Sequence, residues 1–366
     1  MSSPAYNLMD DYGKNVQQSG NGASRMTATD FTNIPARRVE WIWPGMLAKQ
    51  KVHVLAGESG IGKTMILCQI SSVVSRGGIF PGEKEPCTKG RVLFLTGEDG
   101  EDDTIKPRLM ASGADMSNVT LLNEMVGEEY FTVQKHIGEL ESLIDNRGDV
   151  SLLIIDLITA FCGSAFDSNS NTHVRGIVGR LTVLAKRTGI GILCLTHLTK
   201  DKTKPLGQRV IGSGAWYQAP RIVLGVIEHD EYGCVLGKEK TNISNRMGCY
   251  PYELVSTYIE MEDGGLEEAY YANWSDYRLN DTTLRELEGV ISTPGTPSYG
   301  EKKGAAATVI SEVLADREWH TRKEVIDEAR NQGISESTVK KTMPDLDVEW
   351  DTTKTMPATG IWRLRN

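Results

Sequence analysis

Residues 52–65 read VHVLAGESGIGKTM, and the fold is decided by how that stretch is read. The apolar run Val52 to Ala56 has the character of a buried strand, and Gly57 through Thr64 fits G-x-x-x-x-G-K-[ST] in full. Glycines 57, 60 and 62 admit backbone turns closed to residues with a Cβ, so that successive N–H groups converge on phosphate oxygens. The expected cradle comprises Gly57, Glu58, Ser59, Gly60, Ile61, Gly62, Lys63, Thr64 and Met65. In it Lys63 reaches the β- and γ-phosphates and the Thr64 hydroxyl ligates Mg2+. A helix from Lys63 towards Ser75 would offer its positive end to the anion, and Arg76-Gly77-Gly78 would close it. A glycine-rich turn that binds nothing is the alternative, against which stand the strand before and the helix after.

At 366 residues the chain suits two globular units plus a tail. Its 39% hydrophobic and 24% charged residues are ordinary for a soluble protein. No segment approaches the roughly 18 uninterrupted apolar residues of a membrane span. Residues 1–30 are polar, lack a secretory core and are expected to form a disordered tail, which points to the cytoplasm. The six cysteines show no C-x-x-C pattern and read as buried free thiols of a reducing compartment. A net charge of -9 excludes a surface that is basic throughout, so any nucleic-acid contact must be confined to a patch.

Further apolar runs recur at 92–96, 119–122, 152–155, 190–195 and 222–226. Between them, 133–145 and 174–185 carry apolar residues at helical spacing. Strands apolar on both faces that alternate with helices imply a mostly parallel sheet covered on each side: an α/β P-loop core over residues 31–275. Runs at 234–236 and 254–261 lack a helix between them and suggest antiparallel edge strands. A Pro-, Gly- and Ser-rich stretch within 276–303 reads as a linker. Beyond it, three helical stretches and two short strands predict a winged helix-turn-helix over 304–366, with Thr321 and Glu324 forming a capping box.

In such sheets chemistry sits beyond the carboxyl edge. The strand LFLT runs into Glu98 and Asp99, where a carboxylate can polarise an attacking water; an acidic loop can also be merely solvated. The strand SLLIID ends in Asp156, the expected acidic partner of Thr64 on Mg2+, with capping of the next helix as its other reading. GILCLTH ends in His197, either a sensor of the γ-phosphate or a structural histidine. The loop after it carries Lys200, Lys202, Lys204 and Arg209, which suit contact with a DNA backbone and equally suit plain solvated surface.

VEWIWPG before the phosphate loop, VLFLTGEDGEDDTIKPRLMASGA after it, LLIID, LTH and GSGAWYQAPRIVLGV together resemble the RecA-like ATPases of the RepA-type replicative helicase group. The resemblance runs from about residue 34 to 260 and implies ATP as the nucleotide. It assigns water activation to Glu98 and a trans-acting role on a neighbouring subunit's γ-phosphate to Arg221, assisted by Lys240 or Lys238. An arginine of this kind is useful only in an oligomer, so the resemblance implies a homo-oligomer, expected as a hexameric ring, with single-stranded DNA as partner; the lack of a long apolar segment leaves no membrane among the expected partners. The chain departs from the family where RVIGSG lacks an arginine-glycine pair before Ser213 and where Trp216 and Tyr217 follow Ala215.

The C-terminal unit resembles a fusion seen on phage and mobile-element relatives of the group. There Ser337, Thr338, Lys340 and Lys341 would lie on the recognition helix. Eleven Lys plus Arg against twelve Asp plus Glu over 301–366 leave DNA binding and protein docking both open. The expected function is an Mg2+-dependent ATPase motor on DNA. A recombinase or strand-annealing ATPase and an ATP-switched DNA-binding regulator are the alternatives. A small-molecule kinase would need an arginine-rich lid and a GTPase an N-K-x-D signature, and the sequence has neither.

Overall fold

The computed structural model describes residues 28–365 except 98–99, 200–203, 211–212, 247, 276, 281, 289–298, 333, 335, 344–345 and 353–359. The phosphate-loop strand, β1 (Val52–Gly57), leads into α1 (Lys63–Arg76). There follow β2 (Arg91–Thr96), β3 (Val119–Leu121), α2 (Val133–Arg147), β4 (Val150–Asp156), α3 (Asn171–Thr188) and β5 (Gly191–His197). Then come β6 (Ile222–His229), β7 (Gly233–Thr241), β8 (Cys249–Glu260) and β9 (Leu266–Trp274). All nine strands join one sheet in the order β9-β8-β7-β6-β1-β5-β4-β2-β3. Pairing is parallel from β3 to β6 and antiparallel from β6 to β9. This is the RecA-like arrangement expected, in which β5 separates the phosphate-loop strand from the strand ending in Asp156.

Local signals explain the helix ends. Gly77 at φ 66° closes α1 in the left-handed conformation that a glycine tolerates best, while Thr132 and Ser170 cap α2 and α3 through their hydroxyls. The strands are apolar on both faces because a core lies on each side of the sheet. On one side Val54, Leu153, Ile155 and Ile192 meet α2 and α3; on the other Leu55, Phe94, Ile154 and Leu193 meet α1.

Three elements depart from expectation. A hairpin, Trp41–Trp43 with Leu47–Ala48, lies ahead of the phosphate loop, and its Trp43 stacks on Phe80 at 4.6 Å. The strand β9, LEEAYYANW, gives little apolar periodicity because much of it is exposed beside β8. The core also runs past residue 275: Leu284 is fully buried within it and Glu288 accepts a hydrogen bond from the Leu206 amide, so these residues belong to the core and not to the expected linker.

From Tyr299 onward, helices α4 (Tyr299–Val313), α5 (Arg322–Asn331) and α6 (Glu336–Thr342) surround their own core of Val309, Ile310, Val325, Ile326 and Val339. A three-stranded antiparallel sheet of His320–Thr321, Gly360–Leu364 and Val348–Thr352 lies with them. The capping box of Thr321 and Glu324 is present. No helix among the described residues is long and apolar enough to cross a membrane.

His53 on β1 is fully buried; its Nε2 accepts from the Ala48 amide at 2.9 Å and its Nδ1 donates to the Ile192 carbonyl at 3.0 Å. Burial, opposed by the bond to Ile192, pushes its pKa down to about 4. Above about pH 6.5 the ring is neutral whether folded or not, and its contribution is complete. Below that the unfolded chain takes up the proton first, so stability falls with pH by at most about 1.4 kcal/mol per unit until the folded ring titrates. Urea unfolding between pH 6.5 and 4.5 should therefore show a falling midpoint whose slope is reduced in His53→Gln. An identical slope in the variant removes His53 as its source.

Candidate functional site

The phosphate loop leaves β1 at Gly57 and enters α1 at Lys63. Gly60 and Gly62 take φ of 83° and 79°, the left-handed region that the motif predicts. A Cβ on Gly57 would stand 3.0 Å from both the Val226 carbonyl and Ile61 Cδ1, and one on Gly62 would meet Leu254 Cδ2 at 2.4 Å. Ser59 is exposed at the turn, Ile61 is buried beneath it, and Met65 packs partly into the core of α1. Lys63 is buried and folds back along the loop, its Nζ donating to the Glu58 carbonyl at 2.6 Å.

The Thr64 hydroxyl donates to Asp156 Oδ2 at 2.9 Å. Asp156 is 3% exposed at the end of β4, so the hydroxyl and the carboxylate converge as a hard-cation site requires. These two oxygens, beside the ammonium of Lys63 and the loop N–H groups, fit a nucleotide phosphate with Mg2+; the ion would neutralise phosphate charge and the remaining ligands would be phosphate oxygens and water. No group of three or more His, Cys, Asp or Glu able to hold a metal occurs among the described residues.

His197 closes β5 directly opposite Gly57 in the strand register, placing it beside the start of the loop. Glu98 and Asp99 lie outside the described residues, as do Lys200 and Lys202. The end of β2 at Thr96 pairs with Asp156. Lys204 is exposed.

Arg209 departs from its expected place on a DNA-facing surface. It is 6% exposed, and its Nη2 donates to Glu58 Oε1 at 2.8 Å. The physical reason is the bridge between Leu198 and Val210, which folds the loop back so that Arg209 points at the phosphate loop.

The trans-acting candidates stand at the opposite edge of the sheet. The Arg221 amide bonds the Val52 carbonyl, five residues and so about 17 Å of strand from Gly57. Arg221 is exposed and cannot reach the phosphate loop of its own chain. Lys240 Nζ donates to the carbonyls of Tyr217, Gln218 and Pro220 at 3.0, 2.6 and 2.9 Å. Burial lowers its pKa, and repulsion from Arg221 and Arg175 adds to this. Lys238, the other candidate, donates to the Arg246 carbonyl and is lowered to about 8, first by burial and then by Arg278 and Arg246.

Sequence reasoning expected an edge strand at 254–261 but not its earlier start at Cys249 or its reach over the phosphate loop. In register, Gly57 stands level with Val226, Leu236 and Tyr250, so the ten residues that follow Tyr250, as far as Glu260, carry β8 about 30 Å past the carboxyl edge of β1. Tyr252 Oη donates to the Ile61 carbonyl at 2.6 Å and Leu254 lies over Gly62, so the arch grips the phosphate loop. An apolar run marks β8 as a strand but carries no sign of how far it overshoots the sheet.

On the C-terminal unit, Lys340 is half exposed and pairs with Glu336 at 3.3 Å. Thr338 is buried at 1% exposure, so it supports the local core and does not reach outward as expected. The side chains of Ser337 and Lys341 lie outside the described residues.

A family model described as AAA domain matches residues 22–203. The DNA repair protein RadA of Brucella abortus (strain 2308) is 28% identical over 270 residues, covering 73% of this chain and 49% of that protein. The protein of the same name from Streptococcus pneumoniae (strain ATCC BAA-255 / R6) is 21% identical over 296 residues, covering 77% and 60%. The chain thus spans about half the length of these relatives. A solved chain described as an ATPase domain is 13% identical with a TM-score of 0.45, covering 60% of this chain and 84% of that one. The stretch that the family model matches contains the phosphate loop and the parallel strands β1 to β5.

Gly62→Ala should destabilise the fold by about 1–3 kcal/mol, because alanine at this φ is strained and its methyl collides with Leu254. Urea unfolding measures the loss, and a change under about 0.5 kcal/mol would mean that the arch yields freely.

Proposed function

We propose that this protein is an Mg2+-dependent ATPase that couples hydrolysis to movement on single-stranded DNA, as a homo-oligomeric, helicase-like motor. The observation that carries the nucleotide reading is the Thr64–Asp156 contact beside a complete phosphate loop. In this account Lys63 leaves the Glu58 carbonyl for the phosphates, Thr64 and Asp156 hold the metal, and His197 stands beside the loop to register the terminal phosphate. Glu98 takes the proton of the attacking water.

Arg221 supports an oligomer, because an exposed guanidinium at the far edge of the sheet serves a phosphate only on a neighbouring subunit. Lys240 and Arg175 concentrate positive charge around it. The C-terminal unit, with its three helices and small sheet, suits a winged helix in which exposed Lys340 meets DNA or a protein partner. A recombination or strand-annealing ATPase is the second reading, favoured by the likeness to proteins named for DNA repair. Unwinding separates the two, since an annealing ATPase pairs strands without opening duplexes.

Steady-state ATP hydrolysis with and without single-stranded DNA, at two salt concentrations, tests the proposal, with Lys63→Ala as the blank. Stimulation that fades with salt is the expected outcome. Turnover indifferent to DNA would refute the motor and leave an ATP-switched regulator. Glu98→Gln should bind ATP and lose turnover by about a hundredfold or more, as loss of a general base requires; unimpaired turnover would strip Glu98 of that role. Arg221→Ala mixed with Lys63→Ala should regain part of the lost activity, whereas no recovery at any ratio argues against shared sites.

A further inference from the structure

A guanidinium buried against the phosphate loop is unusual, because an arginine leaves water only when its donors are satisfied. Arg209 meets that condition from two directions. Its Nη2 donates to Glu58 Oε1 at 2.8 Å, and its Nε and Nη2 both reach the Thr199 carbonyl at 3.4 Å. The Thr199 amide in turn donates to the Arg209 carbonyl at 2.6 Å. Glu58 is thereby held on two sides, since its carbonyl receives the Lys63 ammonium while its carboxylate receives Arg209.

The short helix that carries Arg209, Leu206–Arg209, is itself fixed to the body of the sheet. Leu206 packs against Gly225, where Leu284 also sits, and a Cβ on Gly207 would stand 2.7 Å from Glu239 Oε1. Glu288 Oε1 accepts from the Leu206 amide at 3.0 Å, and Arg285 Nε donates to Glu239 at 3.2 Å. Residues 284–288 therefore strap this helix in place, and among the described residues they are the last before Tyr299.

We infer that Arg209 is a positioning residue for the phosphate loop, coupling the helix Leu206–Arg209 to the seat of Lys63 through Glu58. The inference rests on the nucleotide-binding reading above. When Lys63 moves to a phosphate, the Glu58 carbonyl loses its donor and the Glu58 side chain transmits the change to Arg209. Motion of the helix that carries Arg209 travels the same route in reverse, because a coupling between two sites acts equally in both directions.

Two measurements on the full chain test this. In a double-mutant cycle, Mg2+-dependent binding of a fluorescent ATP analogue should weaken about tenfold in Glu58→Gln and about tenfold in Arg209→Gln. The double variant should be no weaker than either single, since both remove one interaction. Hydrogen exchange of residues 204–210 should slow on addition of ATP in the wild type and stay unchanged in Glu58→Gln. Additive losses near a hundredfold, or nucleotide protection that persists in Glu58→Gln, would overturn the coupling. Arg209→Lys, which keeps the charge, guards against a variant that fails to fold and should bind between wild type and Arg209→Gln. If wild type and Lys63→Ala bind the nucleotide equally, the nucleotide reading itself has failed, a result distinct from either of the others.

Discussion

One hydrogen bond organises the site: Thr64 to Asp156, joining the start of α1 to the end of β4. The strands behind these residues are not neighbours, because β5 lies between them, and two strand spacings amount to about 10 Å. Only a parallel arrangement with the carboxyl ends on one edge lets the phosphate loop turn across that gap. Everything else in the core serves this requirement. Both faces of β1, β5 and β4 are buried to keep their ends in line, and the glycines of the loop admit a turn sharp enough to begin the helix over the edge.

Around that contact the molecule is graded in its polarity. At the carboxyl edge stand Lys63, Thr64, Asp156 and His197; at the amino edge stands Arg221, with the Lys240 ammonium on the carbonyl of the preceding Pro220. The separation makes a single chain unable to present Arg221 to its own loop, which is why an oligomer is part of the proposed mechanism. The β8–β9 arch adds a wall at the carboxyl edge, holding the phosphate loop through Tyr252 and Leu254.

Most of the parallel core was legible in the sequence because burial on both faces leaves uninterrupted apolar runs, as in Val52 to Gly57 and Val150 to Asp156. The phosphate loop was legible because its glycines and Thr64 are demanded by backbone and metal chemistry that few other sequences satisfy. Other features were illegible for definite reasons. Strand β9 pairs along only one edge and exposes Glu267, Glu268 and Tyr270, so its pattern resembles a polar loop. Arg209 sits among lysines in a loop, where a basic residue ordinarily faces water, and its partner Glu58 is 151 residues away in the chain. Thr338 reads as a polar contact on a helix, yet the turn of that helix places it inward.

The central claim is that Thr64 and Asp156 form the cation seat of a nucleotide site, and the metal dependence of binding addresses it most directly. A titration of Mg2+ at fixed ATP analogue should show one nucleotide per chain bound only with the cation, and Asp156→Asn should raise the Mg2+ required by about tenfold, as loss of one charged ligand near a divalent ion implies. Binding that ignores both Mg2+ and the substitution would contradict the assignment of this edge as the catalytic centre.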